Sequence, residues 1–279
     1  MIDILFCGNN GVFDGMLTCA LSILRRTDTD RPFRFFIFTM DASHIKSEYL
    51  PVDESRHRFF ESVIKEYDPR NSALRIDVTE LYREEFSGCP NEGAYCSPYT
   101  LLRLLADRVE EIPDKLLYLD VDILFNRDVC LLYDTDIEGY EYAAARDHYG
   151  KYLVSPDYIN AGVLLLNMGE IRRGGLFRRA RDLIRRKKLT FADQSAIIRS
   201  TTRKKLLGQR FNDQKYLHPH TVVRHFSKRL FWFPYPHTEN IKQWQISRLH
   251  RRLGCYDFDD ILYEYVYLKE KYNREVKND

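Results

Sequence analysis

Two aspartates set two positions apart, Asp120 and Asp122, close the apolar run Leu116-Leu117-Tyr118-Leu119. On an extended backbone, residues i and i+2 face the same side, so both carboxylates can reach one cation. Oxygen ligands suit a hard divalent metal, and such a metal neutralises phosphate charge. The bland alternative is a pair of solvated turn residues at the end of a strand. Context weighs against it, because the apolar run reads as a central buried strand. In open α/β sheets, ligands sit beyond the carboxyl ends of such strands. Ile123-Leu124-Phe125 then resumes the apolar segment at once.

Four further positions have side chains suited to the same chemistry. Arg103 sits within the largely apolar Tyr99–Leu105 and, if buried there, needs an anionic partner, either a phosphate or a ligand-binding carboxylate. Asn160-Ala161-Gly162 precedes the apolar Val163–Leu166, and small residues there let a ligand approach the backbone. Asn160 can donate and accept, which suits sugar hydroxyls, although a capping turn would also use an Asn. Asp193-Gln194 is open to the same two readings, since Asp193 could simply cap a helix starting at Gln194. His225 follows a short apolar stretch; alone, it reads as a structural hydrogen-bonding residue.

The elements that must position these residues alternate. Ile4–Cys7 reads as a strand ending in the permissive loop Gly8-Asn9-Asn10-Gly11, with helix Met16–Arg26 and strand Phe33–Thr39 after it. That is the opening of a nucleotide-binding βαβ unit. Helix Ser55–Tyr67, strand Leu74–Val78 and helix Thr100–Glu111, with Pro98 in its first turn, come next. Strands are expected at Lys115–Leu119, Tyr142–Ala145 and Gly162–Leu166, and a basic helix at Leu176–Lys188. The fold class is α/β: a mixed, mostly parallel sheet flanked by helices. Beyond about Arg203 the chain turns aromatic and basic, which suggests a C-terminal extension.

Length and composition bound the rest. The chain has 279 residues, 44% hydrophobic and 30% charged, enough for one large domain with a small appendage. A net charge of +2 argues against a dedicated nucleic-acid binder. Six cysteines (Cys7, Cys19, Cys89, Cys96, Cys130, Cys255) form no CxxC pair and no zinc spacing, so free thiols in a reducing compartment are expected. No stretch approaches the roughly 20 apolar residues of a membrane span. Met1–Cys7 has no basic n-region. A cytoplasmic protein is therefore the expectation.

Together these pieces resemble the family 8 glycosyltransferases, retaining metal-dependent enzymes of the GT-A fold that include bacterial lipo-oligosaccharide galactosyltransferases and glycogenin. Four motifs occur in the family's order: Leu-Tyr-Leu-Asp-x-Asp at 117–122, Asn-Ala-Gly-Val at 160–163, Asp-Gln at 193–194 and His-Phe at 225–226. The likeness implies a catalytic domain over 1–230 and a helical extension over 231–279. It implies Asp120, Asp122 and His225 as ligands of Mn²⁺, with Mg²⁺ as the alternative ion, bridging the diphosphate of a UDP-hexose. The imidazole agrees with that preference for Mn²⁺. Asp147, Asn160, Asp193 and Gln194 become the catalytic and sugar-orienting set. Cys7, Gly8, Asn9, Val12, Arg103, Val121, Ala161, Gly162 and Lys228 join them as donor-binding positions.

The implied reaction moves galactose or glucose to a hydroxyl of a cell-surface glycan or glycolipid, as in lipopolysaccharide biosynthesis. Two places depart from the family pattern. The family's first loop carries an acidic residue and then a Tyr that stacks on uracil; here Asn9 and Val12 stand there, with Phe13 next in line. After the metal His the family has Gly and then Lys-Pro-Trp, whereas this chain continues Ser227-Lys228-Arg229, leaving Lys228 or Arg229 to meet the diphosphate.

Two rivals fit part of the pattern. An apolar strand before Asp-x-Asp also describes a haloacid-dehalogenase-like phosphatase, with Asp257-Phe258-Asp259-Asp260 as a distal metal site. A non-catalytic nucleotide-sugar binding protein would explain the altered loop and lysine segment. Finally, the bases at 178–188 and 203–205 and the aromatics at 231–235 either form a solvated face and core, or meet the inner face of a membrane as a peripheral contact.

Overall fold

The computed structural model describes residues 1–93 and 97–275, so Cys96 lies outside the described residues. Strand β1 (Ile2–Cys7) leads through a 3-10 turn into α1 (Phe13–Arg26), then β2 (Phe33–Thr39), α2 (Glu54–Tyr67), β3 (Ser72–Asp77) and α3 (Thr79–Phe86). A 3-10 helix over Pro98–Arg108 precedes β4 (Lys115–Leu119), β5 (Ile123–Phe125), α4 (Cys130–Tyr133), β6 (Tyr142–Ala145) and α5 (Gly150–Leu153). Next come β7 (Val163–Asn167), α6 (Met168–Gly174), α7 (Leu176–Arg186), α8 (Ala192–Ser200), β8 (Lys204–Leu207) and β9 (Val223–His225). The chain ends with β10 (Arg229–Phe231), β11 (His237–Glu239), α9 (Ile246–Leu253) and α10 (Asp259–Glu275).

Seven strands form the central sheet in the order β3-β2-β1-β4-β7-β6-β8. All neighbours run parallel except β7, which is antiparallel to both β4 and β6. The expected mixed, mostly parallel sheet is therefore present. The strand sequences lack polar alternation because both faces are covered. In β1, Ile2, Ile4 and Phe6 enter one core while Leu5 and Cys7 enter the other. β4 divides likewise, Leu117 and Leu119 against Leu116 and Tyr118. The C-terminal part opens with the antiparallel β10–β11 hairpin before its two helices. Leu249, Phe258, Ile261, Leu262, Tyr265 and Leu268 from α9, α10 and the segment between them join the same core as β1 and α1.

Two sequence expectations change. Pro98–Arg108 winds as a 3-10 helix rather than an α-helix. Three residues per turn put Thr100 and Arg103 on one line, and Arg103 Nε donates to the Thr100 carbonyl at 2.9 Å. Asp193 does not cap α8; Phe191 occupies that position, and Asp193 lies inside the first turn with its side chain turned to other work. Several bases on and beyond α7 are held in ion pairs: Arg179 with Glu141, Arg181 with Asp107 and Glu85, Arg185 with Glu85, and Lys204 with Asp157. That favours the solvated-face reading for them. The described cysteines (Cys7, Cys19, Cys89, Cys130, Cys255) are free thiols, as expected.

Strand β5 pairs with β9 and buries Ile123, Leu124 and Phe125, and one hydroxyl of α1 also holds its backbone. The buried Ser22 Oγ donates to the Cys19 carbonyl and accepts the Phe125 N–H at 2.9 Å. Ser22→Ala leaves that N–H buried without a partner and should cost about 1–3 kcal/mol, read as a lower urea midpoint at unchanged slope.

Candidate functional site

Two strand pairings build the site. β4 registers antiparallel against β7, so the residue after β4 meets the residue before β7, and Asp120 N–H donates to the Gly162 carbonyl at 2.7 Å. β5 pairs with β9 with Ile123 opposite His225, which brings the histidine beside Asp122. The two aspartates occupy the bend between β4 and β5 rather than a continuous strand. His225 Nε2 lies 3.1 Å from Asp122 Oδ1 and 3.9 Å from Asp120 Oδ2. One ligand atom from each of the three residues lies within 4.8 Å of the others.

A chain of hydrogen bonds settles the tautomer of His225. The Gly162 N–H donates to Asn160 Oδ1 at 3.0 Å, so that atom is the amide oxygen, and Asn160 Nδ2 donates to Asp147 Oδ2 at 2.9 Å. Asn212 Nδ2 donates to the same Asn160 oxygen at 2.9 Å, which turns Asn212 Oδ1 toward His225 Nδ1 at 3.0 Å. An amide oxygen only accepts, so Nδ1 carries a proton, and Nε2, facing Asp122, either bears a second proton or presents its lone pair to a cation. Three electron-pair donors thus converge, and a proton or a metal ion must lie among them. Two carboxylates with an imidazole suit a divalent ion. The donor set fits.

Gly162 makes this approach possible. A Cβ there would run into His225 Cε1 and lie 2.8 Å from Asp120 Oδ2. The other oxygen of Asp120, Oδ1, is held by the Tyr118 hydroxyl at 2.6 Å and Arg103 at 3.0 Å.

Arg103 is 1% exposed and finds its anions within the protein. It pairs with Asp120 and, at 3.3 Å, with Asp193, while its guanidinium lies 3.9 Å from the Tyr118 ring centroid. Of the two partners foreseen for it, phosphate or carboxylate, these contacts are carboxylates. Burial works against its charge, but Tyr118, Asp193 and Asp120 more than compensate and hold the guanidinium protonated. Burial pushes the Asp193 carboxyl up, with Arg103 opposing. At Asp122 burial also works upward, yet Lys242 and His225 outweigh it and hold the carboxyl well below its usual range.

Lys242 is absent from the sequence expectations. Its ammonium contacts Asp122 Oδ2, and its neighbours lock the segment down. Gln243 Nε2 donates to the Val121 carbonyl at 2.8 Å and to Thr18 Oγ1 at 3.1 Å. Trp244 lies where a Cβ on Gly15 would fall, 2.6 Å from its Cζ3. Lys242-Gln243-Trp244 therefore stands at the site where the resemblance expects Lys-Pro-Trp, with the β10–β11 hairpin interposed after His225. Lys228 and Arg229, the two bases expected at the diphosphate, line the adjoining cleft.

That cleft, of about 530 Å³, is lined by Asp147, Asn160 and Gln194 on its inner side. Gln194 Oε1 accepts the Ala161 N–H at 3.0 Å, and Asp147 Oδ1 accepts the N–H groups of Tyr149 and Gly150. At the β1 end, Cys7 is buried, and burial raises its thiol far above the usual range. The Gly8 carbonyl accepts from Thr39 Oγ1 at 2.8 Å, while a Cβ on Gly8 would meet Val12 Cγ2 at 2.5 Å. Asn9 is buried and Val12 half-buried. Phe13 begins α1 and packs edge-on against Phe60 in the core, so it cannot slide beneath a base. The distal acids do not join the metal-capable cluster: Asp259 bonds His250, and Asp260 pairs with Arg26.

With this geometry in place, comparison with known proteins is informative. The model of "Glycosyl transferase family 8" matches residues 3–214. Glycosyltransferase GlyA of Streptococcus pneumoniae serotype 4 is 30% identical over 166 residues, which is 59% of this chain and 20% of GlyA. The match thus spans about a fifth of that relative's length. Among solved structures, galactosyltransferase LgtC, determined with donor and acceptor sugar analogues, superposes with a TM-score of 0.66 at 20% identity, covering 97% of this chain and 96% of LgtC. Glycosyltransferase GlyE of Streptococcus pneumoniae TIGR4 does so with a TM-score of 0.63 at 18% identity, covering 95% of this chain and 63% of the other. These structures share the fold, and the phosphatase alternative is overturned by the family match.

Two substitutions probe the preset geometry. Gly162→Ala should displace His225 and Asp120 and abolish stoichiometric divalent-metal binding in calorimetry while the chain stays folded by circular dichroism. Asn212→Leu removes the partner of His225 Nδ1 and should weaken metal affinity about 10–100-fold.

Proposed function

From the premise that the chain belongs to glycosyl transferase family 8, we propose that it transfers a hexose, galactose or glucose, from a UDP-sugar to a hydroxyl of a glycan or glycolipid, retaining the anomeric configuration. The observation that carries this reading is the convergence of Asp120, Asp122 and the His225 Nε2 lone pair on one point. The ion is Mn²⁺, with Mg²⁺ as the alternative, because one of the three donors is an imidazole. Bound there, it would neutralise the charge that grows on the departing diphosphate.

The chain's own residues supply the rest. Lys242, released from Asp122, adds a second positive charge to the diphosphate, taking the role assigned above to Lys228 or Arg229. Asp147 and Asn160, already bonded to each other, orient hexose hydroxyls at the inner end of the cleft. Asp193 does the same from α8, held in place by Arg103. Arg103 itself acts by fixing Asp120 and Asp193, since it has no exposed surface of consequence. Asn9 and Val12 remain to recognise the base, without an aromatic stack from Phe13.

Gln194 bears on the mechanism. Its amide oxygen already accepts the Ala161 N–H, which draws electron density away from a group that is a poor nucleophile to begin with. That supports front-side attack by the acceptor hydroxyl, which passes its proton to the leaving phosphate oxygen. Gln194 stabilises the oxocarbenium-like sugar as the bond breaks.

A screen of sugar nucleotides, reading UDP release with and without Mn²⁺, tests the proposal. Metal-dependent release from one UDP-hexose is expected, and Asp120→Ala should lower it by at least about 100-fold through loss of charge stabilisation. Tight UDP binding with no release from any donor would support the non-catalytic binder instead. Normal release by the Asp120→Ala chain would end the assignment.

A further inference from the structure

The most exposed large apolar side chains are concentrated in one place. Among the described residues the five highest are Phe233 (86%), Leu153 (80%), Tyr152 (79%), Trp232 (73%) and Tyr235 (66%). They come from two segments distant in sequence, the end of α5 and the tip of the β10–β11 hairpin. Both segments border the same cleft: Leu153 and Val154 line one part of it, Leu230 and Thr238 another. The hydrophobic effect disfavours such a concentration on a freely solvated surface, and a patch of this kind marks a docking face.

Charge indicates what docks. Lys151, Lys215 and Arg229 lie among these aromatics, over Tyr152 at 5.0 Å, Tyr216 at 5.3 Å and Phe231 at 5.7 Å. Among the described residues no carboxylate lies within 4.0 Å of any of the three, in contrast to the ion-paired bases of α7. The nearby acids are already committed: Asp157 to Lys204, Glu239 to Arg248 and Arg252, and Asp213 to His218. Uncompensated cations, Trp and Tyr, and outward Leu and Phe together match the strata of a bilayer surface. The cations meet anionic headgroups, the amphipathic rings sit at headgroup level, and the apolar side chains enter the acyl boundary.

Resting on the transferase reading, we propose that the rim of the cleft docks on an anionic lipid bilayer, so that the cleft opens onto the headgroup layer and its acceptor is a saccharide borne on a lipid. The aromatic hairpin and the basic side chains then restrict which hydroxyls reach Asp147 and Gln194.

Flotation of the full chain with vesicles tests the surface alone, because it needs neither metal nor sugar nucleotide. Binding to phosphatidylcholine–phosphatidylglycerol vesicles should exceed binding to phosphatidylcholine vesicles by roughly 100-fold at low salt, from three basic side chains at the surface. High salt should shrink that ratio. Trp232→Ser with Phe233→Ser should lower vesicle binding by about tenfold or more while UDP release in solution is unchanged. Should that variant fail to fold, Lys215→Gln with Arg229→Gln should erase the preference for the anionic vesicles. Equal flotation of wild type and both variants, or a wild-type chain that stays in the dense fraction with anionic vesicles, overturns the proposal. Vesicle binding by a chain that releases UDP from no donor leaves this surface standing and overturns the transferase reading instead.

Discussion

Carboxylates crowded beside an imidazole lone pair repel unless positive charge lies among them, and the centre of this molecule is arranged around that constraint. Asp120 and Asp122 both face His225 Nε2, and each has its other oxygen tied to a cation, Arg103 for Asp120 and Lys242 for Asp122. The two cations differ in mobility by construction. Arg103 is buried, stacked on Tyr118 and shared with Asp193, so its charge is permanent scaffolding. Lys242 sits on a half-exposed stem in a loop anchored by Gln243 and Trp244. It can change partner when a more negative group arrives.

The sheet delivers these groups without strain. The antiparallel β7, the exception in an otherwise parallel sheet, starts beside the carboxyl end of β4 and therefore presents Asn160-Ala161-Gly162 to Asp120. The short β5·β9 ladder adds His225 from the far end of the chain. Backbone pairing thus sets the separations, and side-chain amides set the orientations. Asn160 and Asn212 extend one hydrogen-bonded line from Asp147 in the cleft to the histidine ring. Two amides, rather than a loop, thus connect Asp147 in the cleft to the histidine ring.

The parts that could be read from the sequence are those whose physics is local. An apolar run stopping at Asp120 and resuming at Ile123 marks a buried strand with carboxylates at its end, and small residues before Val163 mark a close approach; expected for a ligand, that approach at Gly162 is made by the His225 and Asp120 side chains. What could not be read depends on contacts across the chain. Asn212 has no distinctive neighbours, and only the fold brings it to His225. Lys242 was hidden because the β10–β11 hairpin separates it from the position just after His225 where the motif was expected, so nearer bases stood in for it. Phe13 looked available to a base until α1 carried it into the core against Phe60. Arg103 was rightly read as buried, but its partners are two carboxylates that only the tertiary structure could reveal together.

The central claim is that Asp120, Asp122 and His225 hold one divalent ion, and Mn²⁺ is itself a spectroscopic probe of that claim. Electron paramagnetic resonance of the chain titrated with Mn²⁺ and UDP should show one ion per chain with a nitrogen hyperfine coupling, and that coupling should vanish in His225→Gln. Absence of stoichiometric binding, or a nitrogen coupling that survives the substitution, would contradict it.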